Sequence, residues 1–217
     1  MQIDWDIIRE SIPLLAEGMI VTIQVSVLSA ALGLILGVVL GLAALSRSRL
    51  LRWLVAGYVD FIRGTPLLIQ IFLVFFALPI VGIRFDEFWA GVIALSLNAA
   101  AFVAEVVRGG VGAIERGQTE AAMSIGMRHR QVLVWILLPQ AYRQMIPPLT
   151  NELISLVKNS SLLSVISVYE LTRAGQAIIS VHFVPFEIYT LLALYYYVLI
   201  KALSWLSVRL ERRLPTW

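Results

Sequence analysis

Apolar residues fall along this chain in long blocks separated by short polar stretches. The blocks run from about Pro13 to Leu45, Gly64 to Val81, Phe88 to Val107, Ile146 to Val168 and Phe186 to Val208. About 20 residues of helix cross the roughly 30 Å hydrocarbon layer of a bilayer, so each block predicts a membrane-spanning helix, and the set points to an α-helical bundle rather than a β-barrel. The first block exceeds a minimal span and is expected to tilt or to extend beyond the bilayer at one end. Between the third and fourth blocks, over about residues 114–140, the chain turns charged and glycine-punctuated, which predicts a short helix outside the membrane. The expectation is an all-α membrane protein with five transmembrane helices in a single domain over residues 1–217.

Composition agrees with that pattern and removes several function classes. Hydrophobic residues make up 59% and charged residues 14% of the 217 positions, and the mean hydropathy is +0.86, too apolar for an ordinary soluble domain. Met1 to Glu10 carries Asp4, Asp6 and Glu10 against Arg9, the reverse of a signal peptide's basic start, so the first apolar block is expected to stay in the mature protein. Arg47, Arg49 and Arg52, then Arg116, Arg128, Arg130 and Arg143, then Arg209, Arg212 and Arg213 all fall on one predicted side. By the positive-inside rule that side is the cytoplasm, which puts the N-terminus outside and the C-terminus inside. The net charge of +3 then reflects topology and calls for no nucleic-acid partner. With no cysteine there is neither a disulfide nor a thiolate metal site, and His129 and His182 lie on opposite predicted sides of the membrane. Neither lysine, Lys158 or Lys201, follows a glycine, so the chain has no phosphate-binding loop and no ATPase site of its own.

Inside the blocks, two kinds of position stand out. Gly33, Gly37 and Gly41 recur at intervals of four and put three missing side chains on one helix face, a packing surface for a neighbouring helix. Arg63, Glu105, Arg108, Glu152 and Lys158 put charge where hydrocarbon makes it costly unless it is paired or faces a cavity. Asn98, Phe102 and Glu105 share one helical face; Asn151, Ser155 and Lys158 share another, with Glu152 and Asn159 on an adjacent stripe. Pro147-Pro148 and Arg63-Gly64-Thr65-Pro66 predict a helix start or kink beside these stripes. A polar α-amino acid needs donors and acceptors of both signs, and these charges supply them. The alternative is pairing among themselves, Glu152 with Lys158 or Glu105 with Arg108.

The segment outside the membrane carries a spaced pattern: Glu120-Ala121-Ala122, three residues, Gly126, nine residues, Ile136, then Leu138-Pro139. A carboxylate in the first turn of a short helix suits the helix dipole, the alanines keep it slim, and Gly126 can end it in the left-handed conformation. Such a knob can dock into a partner's groove. The other reading is an amphipathic loop on the lipid surface, with Met127-Arg128-His129-Arg130 basic and Trp135 among the headgroups.

This pattern resembles the coupling motif of the permease subunits of bacterial ABC (ATP-binding-cassette) importers. Phe61 to Leu68 (FIRGTPLL), Ala104 to Gly110 (AEVVRGG) and Asn151 to Ile166, with KNSSLLSVI at its end, are similar to the polar amino acid group of those permeases, the histidine/glutamine/arginine group. The resemblance covers nearly the whole chain. It implies a type I ABC importer permease fold in the inner membrane, with Glu120, Ala121, Ala122 and Gly126 on a cytoplasmic coupling helix. It implies no cofactor in this chain, with ATP and magnesium at two partner ATP-binding subunits. A second permease chain, identical or related, and an extracytoplasmic substrate-binding protein would complete the assembly, and Glu170 to Glu187 is the segment expected to meet the binding protein, as a loop or as a re-entrant or interfacial helix. Carried over residue by residue, the resemblance implies substrate contacts at Arg63, Thr65, Asn98, Phe102, Glu105, Glu152 and Lys158. A permease for another small zwitterion, a compatible solute or an opine, fits the same charges, and a proton-coupled secondary transporter using Glu105 or Glu152 is the reading from a different class.

Overall fold

A computed structural model describes residues 4–212, and every regular element among them is helical. In chain order they are α1 (Trp5–Ala44), α2 (Arg49–Gly64), α3 (Leu67–Phe72), α4 (Glu87–Gly112), α5 (Arg116–Ser124), α6 (His129–Gln131), α7 (Leu138–Asn159), α8 (Leu171–His182) and α9 (Pro185–Arg212). A wide π turn, Leu73–Ala77, and a 3-10 turn, Leu78–Val81, prolong α3; another π turn, Val132–Leu137, joins α6 to α7, and a 3-10 turn, Ser160–Ile166, follows α7. Pro139 lies just after the second π turn, where a proline without its N–H is accommodated by looser backbone bonding. The side chains of Arg212 and Arg213, two of the charges used for orientation, lie outside the described residues.

The helix α4 is the axis of the bundle. Fifteen of its 26 residues are buried, and α1, α2, α3 and α7 all pack on it. The predicted glycine face is the closest of these contacts. A Cβ built at Gly33 would lie 2.8 Å from Ala99 Cβ, at Gly37 2.5 Å from Val103 Cβ and at Gly41 2.6 Å from Val107 Cβ. In lipid, helices gain nothing from leaving water, so association rests on close van der Waals contact, which these three glycines permit. On the same stretch of α4, Val103, Val107 and Val111 also pack with Ala141 and Met145 of α7.

Three helices are long and apolar enough to cross a membrane, α1, α4 and α9, and a fourth crossing arises if α2 and the segment Leu67–Val81 count as one bent span. Two sequence-based expectations change here. The second block is not one straight helix from Gly64: α2, 16 residues long, precedes it and meets it at an angle of 109°. Its apolar positions Val55, Val59 and Ile62 are buried against the bundle at helical spacing while Arg52, Trp53 and Asp60 are exposed, so the helix is amphipathic and its charges hid it from a search for apolar blocks. In the fourth block, Pro147 and Pro148 lie inside α7 instead of starting it, because the helix begins back at Leu138 and carries Gln140, Arg143 and Gln144 in its early turns. That polarity keeps α7 off the composition-based count.

The segment left open as loop or interfacial helix is α8, packed on α1 and α9 through Leu15, Leu171, Ala174, Ile178, Ile188 and Leu192. Its cap is Glu170, fully buried, whose carboxylate accepts from the backbone N–H of Thr172 at 2.9 Å and of Arg173 at 2.8 Å and from the Tyr196 hydroxyl of α9 at 2.8 Å. Thr22 of α1 accepts from Leu171 N–H at 3.1 Å. Satisfied donors at a buried helix end hold three elements together.

Gly37→Val should force α1 and α4 apart and cost about 1–3 kcal/mol, since overpacking a close crossing leaves no rotamer that avoids Val103. Thermal unfolding of the lipid-embedded protein should fall accordingly. Gly57→Ala, with no atom within 4 Å of the added carbon, should not lower it.

Candidate functional site

The site is built around the break between α2 and α3. Pro66 has no N–H to donate and biases the residue before it toward extended backbone, and Thr65 sits at φ −118°, ψ 146°. The interrupted helix leaves carbonyls without intrahelical donors, and inside a bilayer water is not there to replace them. Gln70 does so. Its buried amide Nε2 donates to Ile62 O at 2.7 Å, Thr65 O at 3.1 Å and Thr65 Oγ1 at 3.0 Å, while its Oε1 accepts from Asn98 Nδ2 of α4 at 2.9 Å. Thr65 Oγ1 in turn donates to Phe61 O at 2.8 Å. Thr65 and Asn98, both singled out from the sequence, are therefore joined through a glutamine that sequence reasoning passed over. An amide one helical turn beyond a Thr-Pro break was the available signal.

The lock fixes where α2 presents Arg63. Arg63 Nη1 donates to Glu105 Oε2 at 3.2 Å, and its guanidinium carbon lies 5.6 Å from the centre of the Phe102 ring. Glu105 has a second and better partner: Arg108 Nε donates to Oε1 at 2.8 Å and Arg108 Nη2 to Oε2 at 2.9 Å, the two-pronged geometry in which guanidinium and carboxylate match. Two adjoining cavities meet at this cluster. One, of about 970 Å³, lies between α2 and α4 and is lined by Arg52, Asp60, Arg63, Phe102, Glu105 and Arg108 among others. The other, of about 530 Å³, lies between α4 and α7 and is lined by Arg63, Phe102, Glu105, Gln144, Asn151, Glu152 and Ser155 among others. Arg63, Phe102 and Glu105 line both.

Of the sequence-derived candidates, then, Arg63, Phe102, Glu105 and Glu152 meet at one cavity, Thr65 and Asn98 hold the break beside it, and Lys158 is exposed and lines neither cavity. Six residues separate Lys158 from Glu152, about two-thirds of a turn in angle, so the two do not share a face. Among the described residues the ion pairs are those of Glu105 with Arg63 and Arg108, and Glu152 has no hydrogen-bond or charged partner. No cluster of three or more His, Asp or Glu side chains with metal-binding geometry occurs among the described residues.

Outside this cluster, Glu120, Ala121 and Ala122 lie on α5, which packs on the turn Val132–Leu137. Glu120 is the fifth residue of that helix, not part of its first turn, so the dipole argument made for it fails; Glu115 occupies the cap. Gly126 behaves as expected, with φ +85°. Its N–H donates to Met123 O at 2.9 Å and Met127 N–H to Ala122 O at 3.2 Å, the paired bonds of a left-handed helix stop. Ala122 is buried, whereas Met123 and Ile125 are exposed, Ile125 at 80%.

The family model described as "Binding-protein-dependent transport system inner membrane component" matches residues 33–215. The chain belongs to this family. It is similar to the arginine transport system permease protein ArtQ of Bacillus subtilis (strain 168), 39% identical over 217 residues that cover 100% of this chain and 99% of ArtQ. It is equally similar to the glutamine transport system permease protein GlnP of Escherichia coli (strain K12), 39% identical over 216 residues, 99% of each chain. The crystal structure of an amino acid ABC transporter with histidines superimposes with a TM-score of 0.92 at 36% identity, over 99% of this chain and 100% of that one. An inward-facing MetNI methionine ABC transporter gives 0.79 at 23% identity over 94% of this chain and 98% of that one, a likeness of fold alone. The bundle thus has the fold of a type I ABC importer permease, and as an inner-membrane component it works with ATPase and binding-protein partners.

Gln70→Leu removes the donor to three acceptors and the acceptor to Asn98. An unsatisfied buried polar group costs about 1–3 kcal/mol, so a clear drop in thermal unfolding temperature is expected. An unchanged midpoint would show that the break is held by other means.

Proposed function

We propose that this chain is the membrane-spanning subunit of an ATP-driven importer that moves a polar amino acid into the cytoplasm by alternating access. The observation that carries this reading is that a weakly held cation and an unpartnered carboxyl group face each other across the cavity between α4 and α7. Glu105 is already matched by the two-pronged pair with Arg108, so Arg63, held by one longer bond of 3.2 Å, and Glu152 face one space of about 530 Å³. A zwitterion carries the complementary two charges. Arg63 would take the substrate carboxylate and Glu152 its ammonium group, with the Phe102 ring against apolar carbon and Asn151 and Ser155 as further polar contacts; Glu105 would act through Arg63. Thr65 and Asn98 would shape the site by holding the break, and Lys158, which lines neither cavity, has no substrate contact in this reading. The arginine and glutamine permeases among the relatives support an amino acid as the cargo.

In this reading there are five crossings: α1, the bent pair of α2 with the segment to Val81, α4, α7 with its 3-10 extension, and α9. The N-terminus lies outside and the C-terminus inside. The helix α5, with Glu120, Ala121, Ala122 and the Gly126 stop, would couple to an ATPase groove, its exposed Met123 and Ile125 supplying apolar contact. Two ATP-binding subunits, holding ATP and magnesium, would sit below two permease chains, identical or related, with a substrate-binding protein above.

Two measurements test this. Uptake of radiolabelled amino acid into vesicles should require ATP and persist with an uncoupler, and Glu152→Gln should lower it about tenfold or more, the value of one charge-assisted bond. Uptake abolished by the uncoupler would favour proton coupling instead. Gly126→Val should leave the bundle folded but weaken ATPase co-purification, because a β-branched residue is strained at φ +85°. Full transport by that variant would remove α5 from the coupling role.

A further inference from the structure

Arg108 lines the cavity between α2 and α4 but not the one between α4 and α7, so it does not face the space assigned above to the amino acid. Its grip on Glu105 nevertheless decides what Arg63 is free to do. Arg108 uses two nitrogens on the two oxygens of Glu105, at 2.8 and 2.9 Å, from three residues along the same helix. Arg63 has one contact with the same carboxylate, longer at 3.2 Å, to an oxygen that Arg108 already occupies. Its guanidinium carries five N–H donors, and 47% of its side-chain surface is exposed. The Phe102 ring holds it in place at 5.6 Å without neutralising it.

We infer that Arg108 is a positioning residue for the substrate: it keeps Glu105 satisfied, so that Arg63 exchanges from Glu105 to the carboxylate of the amino acid without stranding a charge in the membrane. This rests on the amino acid reading of the cavity. A carboxylate left without a partner between membrane helices is expensive even half-buried, as Glu105 is with 27% of its side-chain surface exposed, and a site in which binding broke its only ion pair would repay that cost out of affinity. With Arg108 in place the exchange is close to neutral, one monodentate bond for another. Without it, Glu105 would draw Arg63 into the two-pronged pair that Arg108 now makes, and the cation would be withdrawn from the substrate.

The test uses the assembled transporter in lipid nanodiscs and equilibrium binding of a panel of radiolabelled polar amino acids that includes arginine and glutamine. Arg108→Gln should weaken binding about tenfold or more in the unaltered background, but by less than about threefold when made in a Glu105→Gln background, because the competitor for Arg63 is already gone there. Arg108→Lys, cationic but unable to make the two-pronged pair, should fall between. A purely structural Arg108 predicts the same loss of binding in both backgrounds, with thermal stability lowered in both. That result, or tight binding by Arg108→Gln, would overturn the inference and leave the amino acid reading standing. Absence of binding by the unaltered protein to every member of the panel would overturn both.

Discussion

The close crossing of α1 on α4 is the constraint from which the rest of the structure follows. Three glycines bring the two backbones together where any Cβ would sit within 2.5–2.8 Å of a side chain on α4. With α1 seated there, α2 and α3 close over a second side of α4 and α7 over a third. What remains open on the lower half of α4 is a strip bearing Phe102, Glu105 and Arg108. The two cavities exist because that strip is left uncovered, and they share a wall because it belongs to one helix.

A break in a membrane helix has to be satisfied from within the protein, and here the satisfaction also places a charge. The amide of Gln70 serves the carbonyls released at Thr65-Pro66 and reaches Asn98 on α4, so the end of α2 is tied to the axis of the bundle. Arg63 lies two residues before that knot. Its direction is thus set by backbone chemistry that has nothing to do with charge, and this fixes a long, entropically costly side chain over Phe102.

Periodicity and composition made much of this legible. The spans of α1, α4 and α9, the glycine face, the left-handed stop at Gly126 and the candidate charges all follow from local pattern, because each depends on residue type and spacing alone. Other features depend on what lies across a helix interface. The helix α2 was hidden because a window that seeks apolar residues rejects one with Arg49, Arg52, Asp60 and Arg63, although Val55, Val59 and Ile62 carry the signal of an amphipathic helix. Gln70 was passed over because an uncharged amide beside a proline is unremarkable until the carbonyls it serves are located. The burial of Glu170 was illegible because its third partner, Tyr196, is 26 residues away. Glu120 was put in the first turn of its helix because α5 was taken to begin near the motif, whereas it begins at Arg116.

The distribution of the charges over the elements bears on how a gripped substrate could be released. Glu105 and Arg108 are three residues apart on α4, so no movement of one helix against another alters their pairing. Arg63 and Glu152 are different: each rides on its own element, α2 next to a break of 109° and α7 just after Pro147-Pro148. Breaks and prolines are where membrane helices bend at least cost, because the backbone bonds there are already absent. A rotation of α2 or α7 against the α1–α4 column therefore changes the distance between Arg63 and Glu152 while leaving Glu105 neutralised. In the proposed cycle this separates two jobs that one salt bridge cannot do together: a fixed pair keeps the membrane interior free of uncompensated charge, and a variable pair holds the amino acid in one state and lets it go in the next.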